Sequence, residues 1–206
     1  MARLLARREE LLAGGARPLG WKLGFGTEAA MEALGLNGPL VGFLTDATLV
    51  ASGGGAAAGE WAVPKLEPEI AIHLGPGGQG VAAVAAAIEL ADADRPPTET
   101  EELLAGDIYH RGVVLGEPVP RPDGPIAVTV ERNGEPFAAT TDAEATLGQL
   151  EDLAEYVGRY LEHFGAGARE GEVVISGSTV PLIDVAAGER WTSQVEGIGT
   201  VEVTLT

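Results

Sequence analysis

Residues 65–74 run Lys-Leu-Glu-Pro-Glu-Ile-Ala-Ile-His-Leu. Read as a strand, their period of two sets Glu67, Glu69, Ala71 and His73 on one face and Leu66, Ile70, Ile72 and Leu74 on the other. The pattern changes to helical spacing over residues 147–164, where Leu150, Leu153, Ala154, Val157, Tyr160 and Leu161 recur on one side. A helix is also predicted over residues 2–13, ended by Gly14-Gly15, and another over 28–34, capped by Thr27 and stopped at Gly35. Strands are predicted at 17–25, 109–116, 126–131, 135–140, 172–176, 190–195 and 200–205, with Arg132-Asn133-Gly134 as a hairpin turn. Ser52–Gly59 reads as a flexible loop lacking a nucleotide motif, and Gly75–Gly80 as a tight connection. Pro96-Pro97 forces an extended break after the apolar run Val81–Ala91. With no internal repeat and no linker, the order describes one mixed α+β domain over residues 1–206, with a short helical arm at about 1–15.

Composition narrows the function. At 206 residues and 45% hydrophobic content the chain can bury a sizeable core. The absence of cysteine excludes disulfides, a thiolate nucleophile and a cysteine-based zinc site. No apolar run approaches the roughly 20 residues that span a bilayer. The mixed-charge start reads as a helix and not a signal peptide, so a soluble, cytoplasmic protein is expected. Thirty-one acidic against 13 basic residues give a net charge of −18, a poor field for nucleic acid or an anionic membrane. An anionic substrate would need local positive charge. Eleven of the basic residues are Arg, and only Lys22 and Lys65 are Lys.

The candidate chemistry lies on the alternating strand. Glu67 and Glu69 side by side repel each other unless a cation sits between them, and a hard divalent ion such as Mg²⁺ takes oxygen ligands. A solvated edge strand would also carry Glu-x-Glu. The third carboxylate, Glu89, stands in an otherwise apolar run, where a charge is rarely left unpaired, and makes an all-oxygen metal site the better account. Lys22, between glycines and beside Trp21, reads either as a compact charge with a tunable pKa or as a lysine at a strand end. Lys65 reads as a solvent-facing strand-end residue. His73 shares the carboxylate face, as a packed core histidine or a support for the carboxylates, and His163 reads as a surface residue near a helix end. Ser176 and Ser178 flank Gly177 without the context of a nucleophile elbow.

Taken in order, six segments resemble the 2-keto-4-pentenoate hydratase and 4-oxalocrotonate decarboxylase family of the fumarylacetoacetate-hydrolase-like superfamily, over about residues 7–206. They are Gly20-Trp21-Lys22-Leu23-Gly24, Gly42–Asp46, Glu67-Pro68-Glu69-Ile70-Ala71, Ala87–Asp92, Gly171–Ser178 and Val195–Val201. The resemblance implies a distorted mixed β-roll or β-sandwich with a few peripheral helices. It implies Glu67, Glu69 and Glu89 as ligands of Mg²⁺ or Mn²⁺, and Lys22 as an acid/base or charge-stabilising group. It further implies a homo-oligomeric lyase, hydratase or decarboxylase, in the catabolism of aromatic compounds. The substrate would be a small 2-oxo or 2-hydroxydienoic acid such as 2-keto-4-pentenoate, and another enzyme of the same pathway is a possible partner. An acylpyruvate-type C–C hydrolase and a non-catalytic partner subunit are the alternatives. Two positions depart from the family pattern. Its acid before Gly-x-Leu falls at Leu40, and its Asp-Asn-x-Ser reads Asp107-Ile108-Tyr109-His110. His110 thereby becomes a candidate proton carrier, and Arg111 either a substrate-carboxylate contact or a structural residue.

Overall fold

A computed structural model describes residues 1–96 and 99–206, so the second proline of the Pro96-Pro97 break lies outside the described residues. Helix α1 (Ala2–Ala13) precedes β1 (Pro18–Gly24), and α2 (Glu28–Leu34), capped by the Thr27 hydroxyl, precedes β2 (Leu40–Thr45). Two short strands, β3 (Leu49–Val50) and β4 (Gly54–Ala56), lead into the long hairpin of β5 (Pro64–Leu74) and β6 (Val81–Asp92). Helix α3 (Thr100–Ala105) and β7 (His110–Leu115) come next, then the hairpin of β8 (Val128–Arg132) and β9 (Glu135–Thr140). Helices α4 (Glu144–Leu147) and α5 (Leu150–His163) precede β10 (Val173–Ile175), β11 (Ile183–Asp184), β12 (Arg190–Val195) and β13 (Gly199–Leu205).

The larger sheet runs β2-β1-β10-β5-β6-β7-β3, with β11 alongside β5, and is mixed because β1–β10 and β3–β7 pair in parallel. The smaller sheet runs β4-β13-β12-β8-β9. The expected mixed β-roll with peripheral helices is therefore the observed fold class. The larger sheet curls on itself. The Phe43 N–H of edge strand β2 donates to Asp107 Oδ1, just before β7, at 2.9 Å. Glycine at position 42 permits that approach, because a Cβ there would lie 2.6 Å from Asp107 Oδ1 and 2.8 Å from Lys22 Cγ.

Strand β6 shows how the curl makes room. Its Ala86, Ile88 and Leu90 face the main core with Leu66 and Ile70 of β5 and Leu150, Val157 and Leu161 of α5. Each fully buried leucine there contributes about 2 kcal/mol relative to an exposed one. On the inner face Ala71, Ala85 and Ala87 pack with Val113 and Ile175 in a smaller cluster. Small side chains leave space above the middle of the sheet, and the carboxylates stand on that face.

The hairpin is built as its turn residues require, with Asn133 at φ 55° and Gly134 at φ 84°. Other segments differ from expectation. The glycine-rich stretch 52–59 is not wholly a loop, because Gly54–Ala56 pairs in parallel with Val203–Leu205. A ladder supplied from the far end of the chain overrides the low strand propensity of Gly-Gly-Ala. No helix among the described residues is long and apolar enough to cross a membrane.

Candidate metal centre

The register of the β5–β6 hairpin places Glu67 directly opposite Glu89, and Glu69 opposite Ala87. One ligand atom from each of the three carboxylates lies within 4.8 Å of the others. Glu69 and Glu89 are fully buried, and Glu67 lines an adjoining cavity. Glu69 Oε2 accepts the Gly177 N–H at 2.8 Å, while Glu89 Oε1 accepts from Lys22 and lies 2.8 Å from His110 Nδ1. Glu69 Oε1 and Glu89 Oε2 are buried and have no partner. Buried carboxylate oxygens of this kind are normally satisfied, and these fit a hard divalent cation.

Lys22 reaches the cluster from β1, across β10. Its Nζ lies 2.5 Å from Glu89 Oε1 and donates to the Ile108 carbonyl at 3.1 Å, with the residue only 1% exposed. An ammonium has three hydrogens, so one remains for the cavity that Lys22 lines. The acceptor carbonyl is aimed by an uncommon turn, in which Asp107, Ile108 and Tyr109 have φ of 57°, 51° and 65°. For isoleucine this left-handed conformation is a true outlier costing about 1–3 kcal/mol. It is held by Ile108 N–H to Leu103 O (2.8 Å), Asp107 N–H to Leu104 O (3.0 Å) and the Asp107–Phe43 bond.

Electrostatics separate the roles. Burial pushes the Glu67 carboxyl up to about 7, with the Glu89 charge adding and Lys22 opposing. Burial, then Glu89 and Glu67, hold Glu69 well above the carboxylate range. Burial also acts against ionised Glu89, yet Lys22 and His110 keep its pKa below the ordinary value. Burial alone would lower Lys22, but Glu89, Glu67 and Asp107 raise it. Burial pushes Asp107 up to about 6. A Lys22 ammonium thus faces an ionised Glu89, and the neighbouring carboxyls hold protons that a cation would displace.

The other candidates are distributed around this centre. His110 is buried behind Glu89, its second ring nitrogen 2.9 Å from Thr48 Oγ1, and it does not line the cavity. Its geometry is that of a group that positions Glu89. His73 sits further along β5 opposite Ala83, half-buried, and its Nε2 has no partner. His163 is exposed in the last turn of α5. Lys65 does not face solvent as expected: its side chain is largely covered, pairs with Asp184 and borders the cavity. Arg111 lies 3.8 Å from Asp92 and 3.9 Å from Asp94, a structural placement. Leu40 is buried in the main core.

Residues 176–179, continuing the Gly171–Ser178 segment of the family resemblance, close the site. Ser176 Oγ accepts the Ile70 N–H, and Thr179 donates twice to the Pro68 carbonyl, fastening residues 176–179 to β5. Ser178 lines the cavity with its Oγ unpartnered, a placement that its position beside Gly177 in the sequence does not reveal. The cavity holds about 880 Å³.

No family model matches the chain. It is 29% identical over 213 residues to a 2-hydroxyhexa-2,4-dienoate hydratase of Comamonas testosteroni, covering 94% of this chain and 80% of that protein. It is 30% identical over 181 residues to a 2-hydroxypent-2,4-dienoate hydratase of Pseudomonas putida, covering 79% of this chain and 80% of that protein. Its fold matches a 4-oxalocrotonate decarboxylase from Pseudomonas putida G7, solved with magnesium and adipate. The TM-score is 0.88 at 22% identity, covering 98% of this chain and 83% of that one.

Proposed function

The chain belongs to the 2-keto-4-pentenoate hydratase and 4-oxalocrotonate decarboxylase family, and from that premise we propose that it is a divalent-metal-dependent lyase acting on a small 2-oxo or 2-hydroxydienoic acid in the catabolism of aromatic compounds. One observation carries the reading. Three carboxylates and one lysine converge at the end of a large cavity with two buried oxygens left without partners. Glu67, Glu69 and Glu89 would hold Mg²⁺ or Mn²⁺. The ion, when bound, supplies Lewis-acid polarisation of the substrate's 2-oxo group.

The chain's own groups do the rest. Lys22 Nζ spends two hydrogens on Glu89 and the Ile108 carbonyl and offers the third to the substrate, as a positive charge or a proton. His110 fixes Glu89 from behind, and the Gly177 N–H fixes Glu69. This reading extends to a homo-oligomer in the cytoplasm, able to meet another enzyme of the same pathway. The net charge of −18 suits neither nucleic acid nor an anionic membrane.

The test is product analysis. The full chain with Mg²⁺ is incubated with 2-hydroxypenta-2,4-dienoate, with 4-oxalocrotonate and with an acylpyruvate. Metal-dependent hydration or CO₂ release is expected. Cleavage of the acylpyruvate alone would make the protein a C–C hydrolase, and no turnover of any of the three would make it a non-catalytic subunit.

A further inference from the structure

The cavity lining is of two chemistries. Lys22, Glu67 and the unpartnered Ser178 hydroxyl supply polar groups beside the carboxylate cluster. Most of the lining is apolar and includes Leu23, Phe25, Ile108, Leu147, Leu153 and Val180, drawn from β1, the left-handed turn, α4, α5 and the 176–181 segment. An acid of five or six carbons bound at Lys22 and Ser178 would leave most of a cavity of about 880 Å³ unfilled.

The other cations on the lining are already engaged. Lys65 pairs with Asp184, and Arg95 holds Asp94 through two bonds of 2.8 and 2.9 Å on a side chain that is 55% exposed. Each therefore already has a carboxylate partner, so a second substrate carboxylate would compete with an aspartate of the chain for its cation, whereas methylenes gain against the apolar lining by leaving water.

From this division we infer that the enzyme is selective for 2-oxo or 2-hydroxydienoic monoacids bearing an extended apolar tail, and discriminates against diacids. The acid head lies at Lys22 and Ser178, and the tail lies along the wall made by Phe25, Leu147 and Leu153. The inference rests on the metal-dependent 2-oxo acid reading and narrows its substrate class.

Calorimetric binding to the full chain in saturating Mg²⁺ tests it, using 2-oxobutanoate, 2-oxohexanoate, 2-oxooctanoate and the diacid 2-oxooctanedioate. Affinity should rise about threefold per added methylene, and the diacid should bind about tenfold more weakly than the monoacid of equal length. Ser178→Ala should weaken every acid by one common factor and leave the tail dependence intact, because it touches the head alone. Leu182→Arg, at an exposed position on the cavity rim, should tighten the diacid several-fold and leave 2-oxobutanoate unchanged. Equal affinity along the series, or a diacid that matches its monoacid, would overturn the inference and leave the proposed function standing. Failure of every acid to bind in Mg²⁺ would overturn both.

Discussion

Two neighbouring residues on β1, Trp21 and Lys22, point into two buried charged clusters that are built differently. Trp21 faces a cluster in which Arg8 meets the buried Glu172 and, at 3.2 Å, the exposed Glu9. Arg8 Nη2 lies 3.3 Å from Glu172 Oε1, Glu172 Oε2 accepts from Trp21 Nε1 and the Arg169 N–H at 3.0 Å each, and the guanidinium stacks 4.7 Å from the Trp21 ring. Lys22 faces three carboxylates, of which Glu69 and Glu89 each keep a buried oxygen without a partner. Burial is nearly the same in both, since Arg8 and Glu172 are each 5% exposed. What differs is the carboxylates: both oxygens of Glu172 are partnered, and the Arg8 cluster ties α1 to the sheet with Arg8 Nε its one buried atom lacking a partner among the described residues. The Lys22 cluster sets three carboxyls against one lysine, so without a cation its surplus carboxyls hold protons and two buried oxygens stay unpartnered, which is the physical mark of a site that binds a cation.

The comparison breaks most sharply at Lys22. Lys22→Met should lower turnover about 100-fold or more while metal affinity is kept or increased, since one positive charge leaves the carboxylate cluster. Lys22→Arg should rescue poorly, because a planar guanidinium neither releases a proton near neutral pH nor fits the slot beside Gly42. Steady-state kinetics beside metal titration separate the two effects, and wild-type turnover in both variants would reduce Lys22 to a structural residue. In the balanced cluster, Glu172→Leu should destabilise the fold by about 3 kcal/mol, because it strands the buried Arg8 charge. Denaturant unfolding measures that loss, and metal affinity in this variant should stay at the wild-type value.

Proton competition gives a smaller contrast. The folded-state pKa of Glu67, pushed up to about 7, lies above its unfolded value, so the native metal-free protein holds a proton that the unfolded chain releases. The cluster's contribution to stability therefore falls as pH rises from about 4.5 through about 7, and bound cation removes that loss. Mg²⁺ affinity should consequently be about tenfold weaker at pH 6 than at pH 8. A pH-independent affinity would show that no proton is displaced. His110→Ala, which frees Glu89 without removing a ligand, should weaken the metal by less than Glu89→Gln does.

What the sequence reveals follows from the range of the physics involved. The alternation at 65–74 and the charge in the alanine run identify all three carboxylates, because strand period and the cost of an isolated charge are local. The Asn133-Gly134 turn and the face of α5 are local in the same sense. The Lys22–Glu89 contact is not, since it exists only because the sheet curls and brings β1 over β6. Nor is the strand at Gly54–Ala56, whose partner is Val203–Leu205. Composition even argues against β6, where alanine favours helix and burial on both faces decides otherwise. Lys65 is misplaced for a related reason: its partner Asp184 lies on a strand whose pairing no nearby residue specifies, and the contact of His110 with Glu89 is set by the β6–β7 pairing in the same way.

The central claim is that the unbalanced cluster is a metal site and the balanced one is not. Isothermal titration of Mg²⁺ or Mn²⁺ into metal-free wild type, Glu67→Gln, Glu89→Gln and Glu172→Gln tests it directly. The account predicts one ion per chain, an affinity weakened by about tenfold or more in the first two variants, and no change in the third. Unchanged affinity in both Glu67→Gln and Glu89→Gln would contradict it.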